Sequence, residues 1–529
     1  MAYAPVTSLL LGVCLVIGLV GKWSDVHAIR TADTKEFPAT VSDRPSLDTL
    51  FTDWLGAGTG CAQEVGETGL KARPLMLFAA EGGGIRAAYW TAAAVDWIQT
   101  GATPTKDAGS DADPETDPPA DICRSAMLSS GASGGSVGLN VAAARGSRPA
   151  MAEVRKIAGR RAIGAASVGL VLRDTIFAAT GIPLPSLDDD APGAFDWNDR
   201  GTLIEQAWEL QIKELQTPFL SEDRPFGWSW GPPGALIVNS TSTTTSCRML
   251  VSQISLPDQG AECGSDAAVA GSADLLSCTG NMRYTTAALL TSRFPYVTPS
   301  GVVKCPGNDS AEPPIPPATL QIVDGGYGDN FGVGTLVDLG PDIVGLVRRH
   351  NDCVLAAHST GKAPHCVAGD QLVVPILVYF DNGAGSDLVS RPGGIDLEVL
   401  VPPITLLGAK SNLVSASSEL QRASELLDTS QLWDQRVAPP GLSEEVATWR
   451  RASVYVISQA TKPGIAAPLG WVLSDESMDE MDKALADQTP ICQLSVGGPA
   501  KAVTDCADSD APADPNKPGS LEQLLLLLK

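Results

Sequence analysis

The chain has 529 residues, enough to bury one large core with generous loops or two smaller cores. Hydrophobic residues make up 44% of it, as is typical of a globular protein. The formal net charge of −24 leaves no basic field to neutralise phosphates, so nucleic acid is excluded as an expected partner, and simple electrostatic docking to anionic membranes is disfavoured.

The first thirty residues predict export. Residues 5–21 carry no charged side chain, Lys22 follows them, and Val26-His27-Ala28 then fits a small-residue cleavage pattern. The apolar run is also just long enough to span a bilayer if it is retained. A cleaved signal peptide and an N-terminal membrane anchor both stay open, with a buried N-terminal helix as a third interpretation.

Beyond residue 72, apolar runs of strand length alternate with segments of helix length. The predicted strands cover residues 74–80, 125–130, 235–239, 319–323, 343–347, 373–380 and 453–458. Continuous apolar runs are typical of strands that are covered on both faces, so we predict the α/β class with a central, mostly parallel sheet. Residues 101–121 and 258–274 are polar and rich in Asp and Gly, which predicts solvated surface insertions.

A glycine run follows the first predicted strand and opens a helix predicted over 87–99. Its sequence is Glu81-Gly82-Gly83-Gly84-Ile85-Arg86. Consecutive glycines let backbone N–H groups converge on one point, as an oxyanion hole requires, and Arg86 adds a fixed positive charge nearby. A phosphate cradle and a plain glycine turn are the alternatives, although no P-loop pattern is present and Ala87 replaces the last glycine of G-x-G-x-x-G.

A serine flanked by glycines comes next, in the run Gly131-Ala132-Ser133-Gly134-Gly135. It fits G-x-S-x-G and lies between the predicted strand 125–130 and a small-residue helix over 136–145. A sharp turn from strand to helix needs glycines such as Gly131 and Gly135, and it presents the serine hydroxyl at a helix N-terminus. By itself this pattern is weak in a chain rich in Gly, Ala and Ser.

Asp324-Gly325-Gly326 directly follows the predicted strand 319–323. An aspartate at the carboxyl end of a strand, held in a glycine turn, can reach across the sheet to a neighbouring nucleophile. A Ser–His–Asp triad would need a histidine, and only His350, after the predicted strand 343–347, stands in a suitable position. A serine that is activated directly by a carboxylate is the simpler interpretation.

The cysteines also favour export. One of the eleven, Cys14, lies in the apolar segment, and the other ten form an even set. The predicted disulfides are Cys263–Cys278, Cys353–Cys366 and Cys492–Cys506, with Cys61, Cys123, Cys247 and Cys305 pairing among themselves. No C-x-x-C occurs, which argues against zinc or redox motifs. Disulfides persist in oxidising compartments, so the periplasm or the cell exterior is favoured over reduced cysteines in a cytosolic enzyme.

Taken in order, G-G-G-x-R, G-x-S-x-G and D-G-G, each after a predicted strand, resemble the patatin-like phospholipase family. Residues 238–248 and 287–295 resemble two further segments of that family. The similarity covers about residues 73–339. It departs from the family at Glu81, where the family often has Asp, and at Ala87, where it often has Gly.

This resemblance implies a patatin-like three-layer sandwich and a set of roles. Ser133 matches the nucleophile that forms an acyl-enzyme, and Asp324 matches its general base. Gly83 and Gly84, with Gly82 beside them, match the oxyanion donors, while Arg86 matches an arginine that orients the glycine loop or meets a phosphoryl group. The family implies neither a metal nor a cofactor, and its substrates are lipid acyl esters.

We therefore expect a lipid acyl hydrolase, exported and associated with a membrane. An acyltransferase that uses the same acyl-enzyme and a non-catalytic envelope protein of the same fold are the alternatives. The expected organisation is a signal or anchor at 1–30, an irregular linker at 31–72, a catalytic core at 73–340, a part that completes the sheet or adds a lobe at 341–506, and an Asp/Pro-rich tail at 507–529.

Overall fold

The computed structural model describes residues 27–31, 39–101, 121–180, 199–221, 231–256, 263–264, 267–294, 297–306, 317–360, 366, 371–382, 416–458, 470–486 and 519–529. The apolar run 5–21, most of the insertion predicted at 101–121, and Cys14, Cys492 and Cys506 lie outside these ranges. No helix within them is both long and apolar enough to cross a membrane.

A ten-stranded sheet runs through the described part of the chain. Its strands are β1 (Gln63–Glu64), β2 (Lys71–Ala80), β3 (Leu128–Ala132), β4 (Ala235–Ser242), β5 (Arg248–Ser252), β6 (Ser272–Asp274), β7 (Gly301–Cys305), β8 (Ala318–Val323), β9 (Leu372–Asp381) and β10 (Val454–Ser458). The order β10-β9-β2-β3-β4 is parallel throughout, with Leu77 beside Leu128 and Ala80 beside Phe380. The carboxyl ends of β2, β3 and β9 therefore meet at one edge.

The α-helices cover the sheet. They are α1 (Leu47–Ala57), α2 (Gly84–Thr100), α3 (Ser133–Arg145), α4 (Met151–Ile157), α5 (Arg161–Val168), α6 (Thr175–Thr180), α7 (Arg200–Glu209), α8 (Leu276–Thr279), α9 (Tyr284–Thr291), α10 (Val333–Asp338), α11 (Gly340–Thr360), α12 (Ala416–Leu426), α13 (Leu442–Arg450), α14 (Asp475–Ala486) and α15 (Leu521–Leu527). A π-helical turn (Gly169–Asp174) joins α5 to α6.

Two apolar cores lie on opposite faces of the sheet, because successive side chains of a strand point to opposite sides. In β2, Met76 and Phe78 belong to the core beneath α2 and α3, whereas Leu75 and Leu77 belong to the core beneath α1, α11 and α13. This arrangement confirms the predicted α/β architecture with a mostly parallel sheet that is covered on both faces.

One of the seven predicted strands is wrong. Residues 343–347 lie within α11, where the buried residues Ile343, Leu346, Val347 and Val354 recur at helical spacing. The apolar run is the inner face of a helix. The other six predicted strands overlap β2, β3, β4, β8, β9 and β10.

Three further expectations differ from the structure. The segment expected to be an irregular linker contains α1 and β1, and the insertion predicted at 258–274 ends in β6, whose residues are all buried. The end of the tail is ordered as well. The Gly519 carbonyl accepts from the N–H of Val456 at 2.9 Å, and α15 then buries Leu521, Leu524 and Leu527. The part after residue 340 contributes β9 and β10 and so completes the sheet.

The described residues contain four disulfides: Cys61–Cys123, Cys247–Cys263, Cys278–Cys305 and Cys353–Cys366. The prediction of Cys353–Cys366 is confirmed, whereas Cys263–Cys278 is wrong. Cys278 lies in α8, which packs against β7, where Cys305 is the last residue. Cys263 instead lies beside the start of β5, within reach of Cys247. Disulfides of this kind are compatible with an exported protein.

Candidate active site

The turn between β3 and α3 places Ser133 in a constrained conformation. Its φ is +47°, an uncommon value for a residue with a side chain. Ser133 is also the first residue of α3, whose N-cap Ala132 offers no side-chain hydrogen bond. The hydroxyl is therefore presented at a helix N-terminus, where partial positive charge favours an anion.

Asp324 lies directly opposite this serine. Ser133 Oγ donates to Asp324 Oδ2 at 2.7 Å, although the two residues are 191 positions apart. The other carboxylate oxygen, Oδ1, accepts from the N–H of Gly326 at 2.8 Å. Gly325 is packed closely as well, since a Cβ there would lie 2.1 Å from the carbonyl oxygen of Asn239. The D-G-G turn thus fixes the carboxylate beside the hydroxyl.

Burial raises the pKa of Asp324 to about 6, and the hydrogen bonds from Ser133 and Gly326 offset part of that increase. The raised pKa makes the carboxylate a better proton acceptor than an exposed aspartate. At neutral pH it is still ionised in most molecules. This combination suits a group that has to take a proton from a hydroxyl.

The glycine loop contacts the serine turn through backbone atoms. A Cβ at Gly134 would lie 1.8 Å from the carbonyl oxygen of Gly84, and one at Gly135 would lie 2.4 Å from that of Glu81. Two glycines after the serine are required because nothing larger fits between the loops. Gly131, before the serine, is also confined, by the side chain of Ser136.

The three glycine N–H groups are not equivalent. The N–H of Gly82 donates to the carbonyl oxygen of Asn330 at 2.8 Å, so it is already engaged. Gly83 is the N-cap of α2 and Gly84 its first residue, and their N–H groups have no acceptor within the described part of the chain. Of the three predicted donors, Gly83 and Gly84 are thus the ones that are available to a ligand.

Arg86 acts on the loop through Asn382. Its guanidinium donates to Asn382 Oδ1 at 3.1 Å and to the Asn382 carbonyl at 3.0 Å, and Asn382 Nδ2 in turn donates to the carbonyl of Gly82 at 3.3 Å. Arg86 also lines the cavity. Through these contacts the guanidinium holds Asn382 against the glycine loop.

The half-buried side chain of Glu81 supports the same loop. Burial raises the pKa of Glu81 well above its usual value, and the neighbouring Asp381 raises it further through its charge and a shared hydrogen bond. Glu81 Oε2 accepts from the N–H of Asn382 at 2.9 Å, and Oε1 from Asn330 Nδ2 at 3.4 Å. Glu81 therefore connects the strand ends on either side of the glycine loop.

These groups line one cavity of about 360 Å³. Its other wall is apolar and includes Val137, Trp208, Phe294 and Trp471. The rings of Trp208 and Trp471 stack with their centroids 6.0 Å apart. One side of the cavity thus offers a nucleophile and N–H donors, and the other offers a surface for an apolar chain.

Thr291, Asn330, Asn382 and the two tryptophans were missed by sequence reasoning. Thr291 Oγ1 accepts the backbone N–H of Ser133 at 2.8 Å and donates to the carbonyl of Asn239. The similarity at residues 287–295 had pointed to the right helix, although not to this side chain. Asn330, Asn382 and Trp471 lie in turns and Trp208 lies in α7, and none of these segments carries a motif of its own.

His350 is not part of this arrangement. It lies in α11, its Nε2 is 2.9 Å from the Gln371 carbonyl, and its ring packs edge-on against Phe51. It does not line the cavity that the described residues form. Within the same residues there is no group of three His, Cys, Asp or Glu side chains that could hold a metal ion.

Comparisons with known proteins add a distant structural likeness. No protein-family model matches the chain, and no curated protein matches it significantly. Among solved structures, the crystal structure of VipD from Legionella pneumophila is similar at 10% identity, over 80% of this chain and 70% of that chain, with a TM-score of 0.24. At such a score the likeness says nothing about the site. The interpretation of the site therefore depends on its geometry alone.

Proposed function

We propose that this protein is a serine carboxylic-ester hydrolase of the patatin-like type that cleaves lipid acyl esters through an acyl-serine intermediate. The observation that carries the proposal is the 2.7 Å hydrogen bond from Ser133 Oγ to Asp324, at the strained start of α3. Nucleophile and base are thus in hydrogen-bonding contact without a histidine between them.

The reaction begins when Ser133 Oγ attacks the ester carbonyl and its proton passes to Asp324. The carbonyl oxygen becomes an oxyanion, which the N–H groups of Gly83 and Gly84 and the N-termini of α2 and α3 stabilise. Asp324 then returns the proton to the departing alkoxide, which leaves as an alcohol. Water then gives a proton to the same carboxylate and attacks the acyl-serine. The bond from Ser133 Oγ to the acyl group breaks, Asp324 returns the proton to Oγ, and the carboxylic acid leaves.

The apolar wall supports an acyl chain as the group that enters the cavity. Trp208, Trp471, Phe294 and Val137 offer carbon surface and no charge beside the nucleophile. Burying a chain of methylene groups against such a wall is favourable by roughly 0.8 kcal/mol per group. The three ordered motifs support the same substrate class, since they resemble those of patatin-like phospholipases.

A fluorophosphonate probe tests the proposed nucleophile. We expect it to label the purified protein on Ser133 and to leave Ser133→Ala unlabelled. Ser129→Ala is the matched control, because Ser129 is buried in β3 and donates to a backbone carbonyl away from Asp324. If the folded protein is not labelled, or is labelled equally in Ser133→Ala, the proposal is overturned.

Product analysis tests the substrate class. The protein is incubated with a mixed lipid extract, and fatty acids and lysolipids are identified against an Asp324→Ala blank. Release of fatty acids supports hydrolysis. Transfer of the acyl group to an added alcohol in preference to water would assign the same intermediate to an acyltransferase.

A further inference from the structure

One stretch of the surface is apolar where a globular protein is normally polar. In the helical segment formed by α5, the π-helical turn and α6, five large aliphatic side chains are exposed: Ile163 (40%), Val168 (51%), Val171 (60%), Leu172 (53%) and Ile176 (36%). We call these five residues the apolar ridge. Val168, Val171, Leu172 and Ile176 recur at helical spacing, and the five residues together extend along about 20 Å of the helix.

The orientation of this segment is the reverse of an ordinary surface helix, which turns its large apolar residues inward. Here the inward face carries small residues. Ala166 is 5% exposed, and a Cβ at Gly169 would lie 2.5 Å from the Cα of Arg200. The buried Asp174 is paired with Arg200 of α7. Tight packing and this ion pair hold the apolar ridge outward.

The charge around the apolar ridge is opposite to that of the whole chain. Arg145, Arg148 and Arg155 are paired with carboxylates of other segments, so the positive charge that remains at the apolar ridge is that of Arg160 and Arg161. Arg160 and Arg161, at the N-terminal end of the apolar ridge, are exposed and form no ion pair with any described residue. An apolar stripe beside exposed arginines is the pattern that suits an anionic lipid surface.

His27, the first residue that the structure describes, lies next to the ridge segment. His27 Nδ1 lies 2.8 Å from Asp199 Oδ2, and Asp199 caps α7. The next residue, Arg200, is the partner of Asp174 in the ridge segment. The same α7 carries Trp208 into the candidate active site.

We propose that the apolar ridge is a docking surface for the lipid bilayer, with Arg160 and Arg161 contacting anionic headgroups. The five side chains enter the headgroup region, while α7 behind them links this face to the cavity. Delivery of lipid esters to Ser133 rests on the proposed function, whereas docking does not. The overall acidity of the chain is not an obstacle, because the exposed Arg160 and Arg161 make this end of the face locally basic.

Hydrogen exchange of the full chain, with and without vesicles of phosphatidylcholine and phosphatidylglycerol, tests the proposal at the surface itself. We expect amides of residues 161–180 to exchange about tenfold more slowly at a lipid concentration ten times half-saturation. The double variant Val171→Ser, Leu172→Ser should lose this protection. Val437→Ser, Leu526→Ser, at exposed aliphatic residues elsewhere, is the matched control and should keep it.

A second variant tests the arginines. Arg160→Gln, Arg161→Gln should lower the affinity for anionic vesicles about tenfold and leave the weaker binding to pure phosphatidylcholine unchanged. Protection that is equal in the Val171, Leu172 variant, or absent from residues 161–180, overturns the proposal. Without vesicles, faster exchange of residues 161–180 on dilution of the protein would assign the surface to a second copy of the chain. Exchange that vesicles do not change at all would assign it to a segment of the chain itself, and either result overturns the proposal. Fluorophosphonate labelling reports separately on the proposed function.

Discussion

The side-chain hydroxyl of Thr291 accepts the backbone N–H of Ser133 at 2.8 Å, across 158 residues of sequence. The same hydroxyl donates to the carbonyl oxygen of Asn239. One buried oxygen therefore links the serine turn to β4 and fixes Ser133 at a φ of +47°. The strain of the turn is held by a residue that does not itself contact Asp324.

Replacing Thr291 with valine keeps the shape and removes that oxygen. We expect the free energy of unfolding to fall by about 1–3 kcal/mol, because the Ser133 N–H and the Asn239 carbonyl lose a buried partner. Fluorophosphonate labelling should slow by about tenfold or more, since the nucleophile is no longer held in place. Thr291→Ser retains the hydroxyl and should restore both the free energy of unfolding and the labelling rate. If Thr291→Val and Thr291→Ser were equally stable and equally labelled, the positioning role of Thr291 would be contradicted.

The pH dependence follows from Asp324. Its pKa is raised to about 6, and only the carboxylate can accept the proton of Ser133. The labelling rate and kcat/KM should therefore rise about tenfold per pH unit below pH 6 and level off above it. A rate that is constant between about pH 5 and about pH 7 would argue against Asp324 as the base.

Asp324→Asn should stabilise the protein while abolishing turnover. The pKa of Asp324 is higher in the folded state than in the unfolded chain, so the folded state binds more protons, and wild-type stability falls as pH rises from about 4 to about 6. The Asp324→Asn variant does not lose stability in this way, because asparagine does not titrate. Its free energy of unfolding should exceed that of the wild type by about 1–3 kcal/mol at about pH 8 and equal it below about pH 4, as measured by denaturant unfolding.

Gly134→Ala tests the contact between the two loops. Its Cβ would lie 1.8 Å from the carbonyl oxygen of Gly84, so we expect a loss of about 3 kcal/mol in stability and no labelling of Ser133. Gly56→Ala, in α1, is the control, because nothing lies within 4 Å of a Cβ there. That substitution should be neutral or stabilise by about 0.5–1 kcal/mol. A stable, fully labelled Gly134→Ala protein would contradict the packing.

Disulfide mapping tests the connectivity. Digestion without reduction should release peptides joined through Cys247–Cys263 and through Cys278–Cys305. Cys278→Ser, Cys305→Ser should lower the free energy of unfolding by about 3 kcal/mol, because the bond closes a long loop. A peptide joined through Cys263 and Cys278 would show that the sequence-based pairing is the correct one.

Much of the sheet and the principal site motifs could be predicted because they depend on local rules. Continuous apolar runs gave six strands, and glycines marked the turns at their ends, where steric limits leave few other residues possible. The run 343–347 was wrongly predicted to be a strand, because a short apolar stretch fits a strand and the inner face of a helix equally well. The pairing Cys263–Cys278 was wrongly predicted, because closeness in sequence is a poor guide to closeness in space.

What the sequence determined by itself is the set of turns that carry Ser133, Asp324 and Gly82–Gly84, since each turn is specified by adjacent residues. Only the tertiary structure decided how these turns meet. It engages the N–H of Gly82 with Asn330, leaves those of Gly83 and Gly84 available, and stacks Trp208 on Trp471 in the apolar wall of the cavity. It also turns the apolar ridge outward. Such pairings are set by the packing of distant elements, for which no local pattern exists.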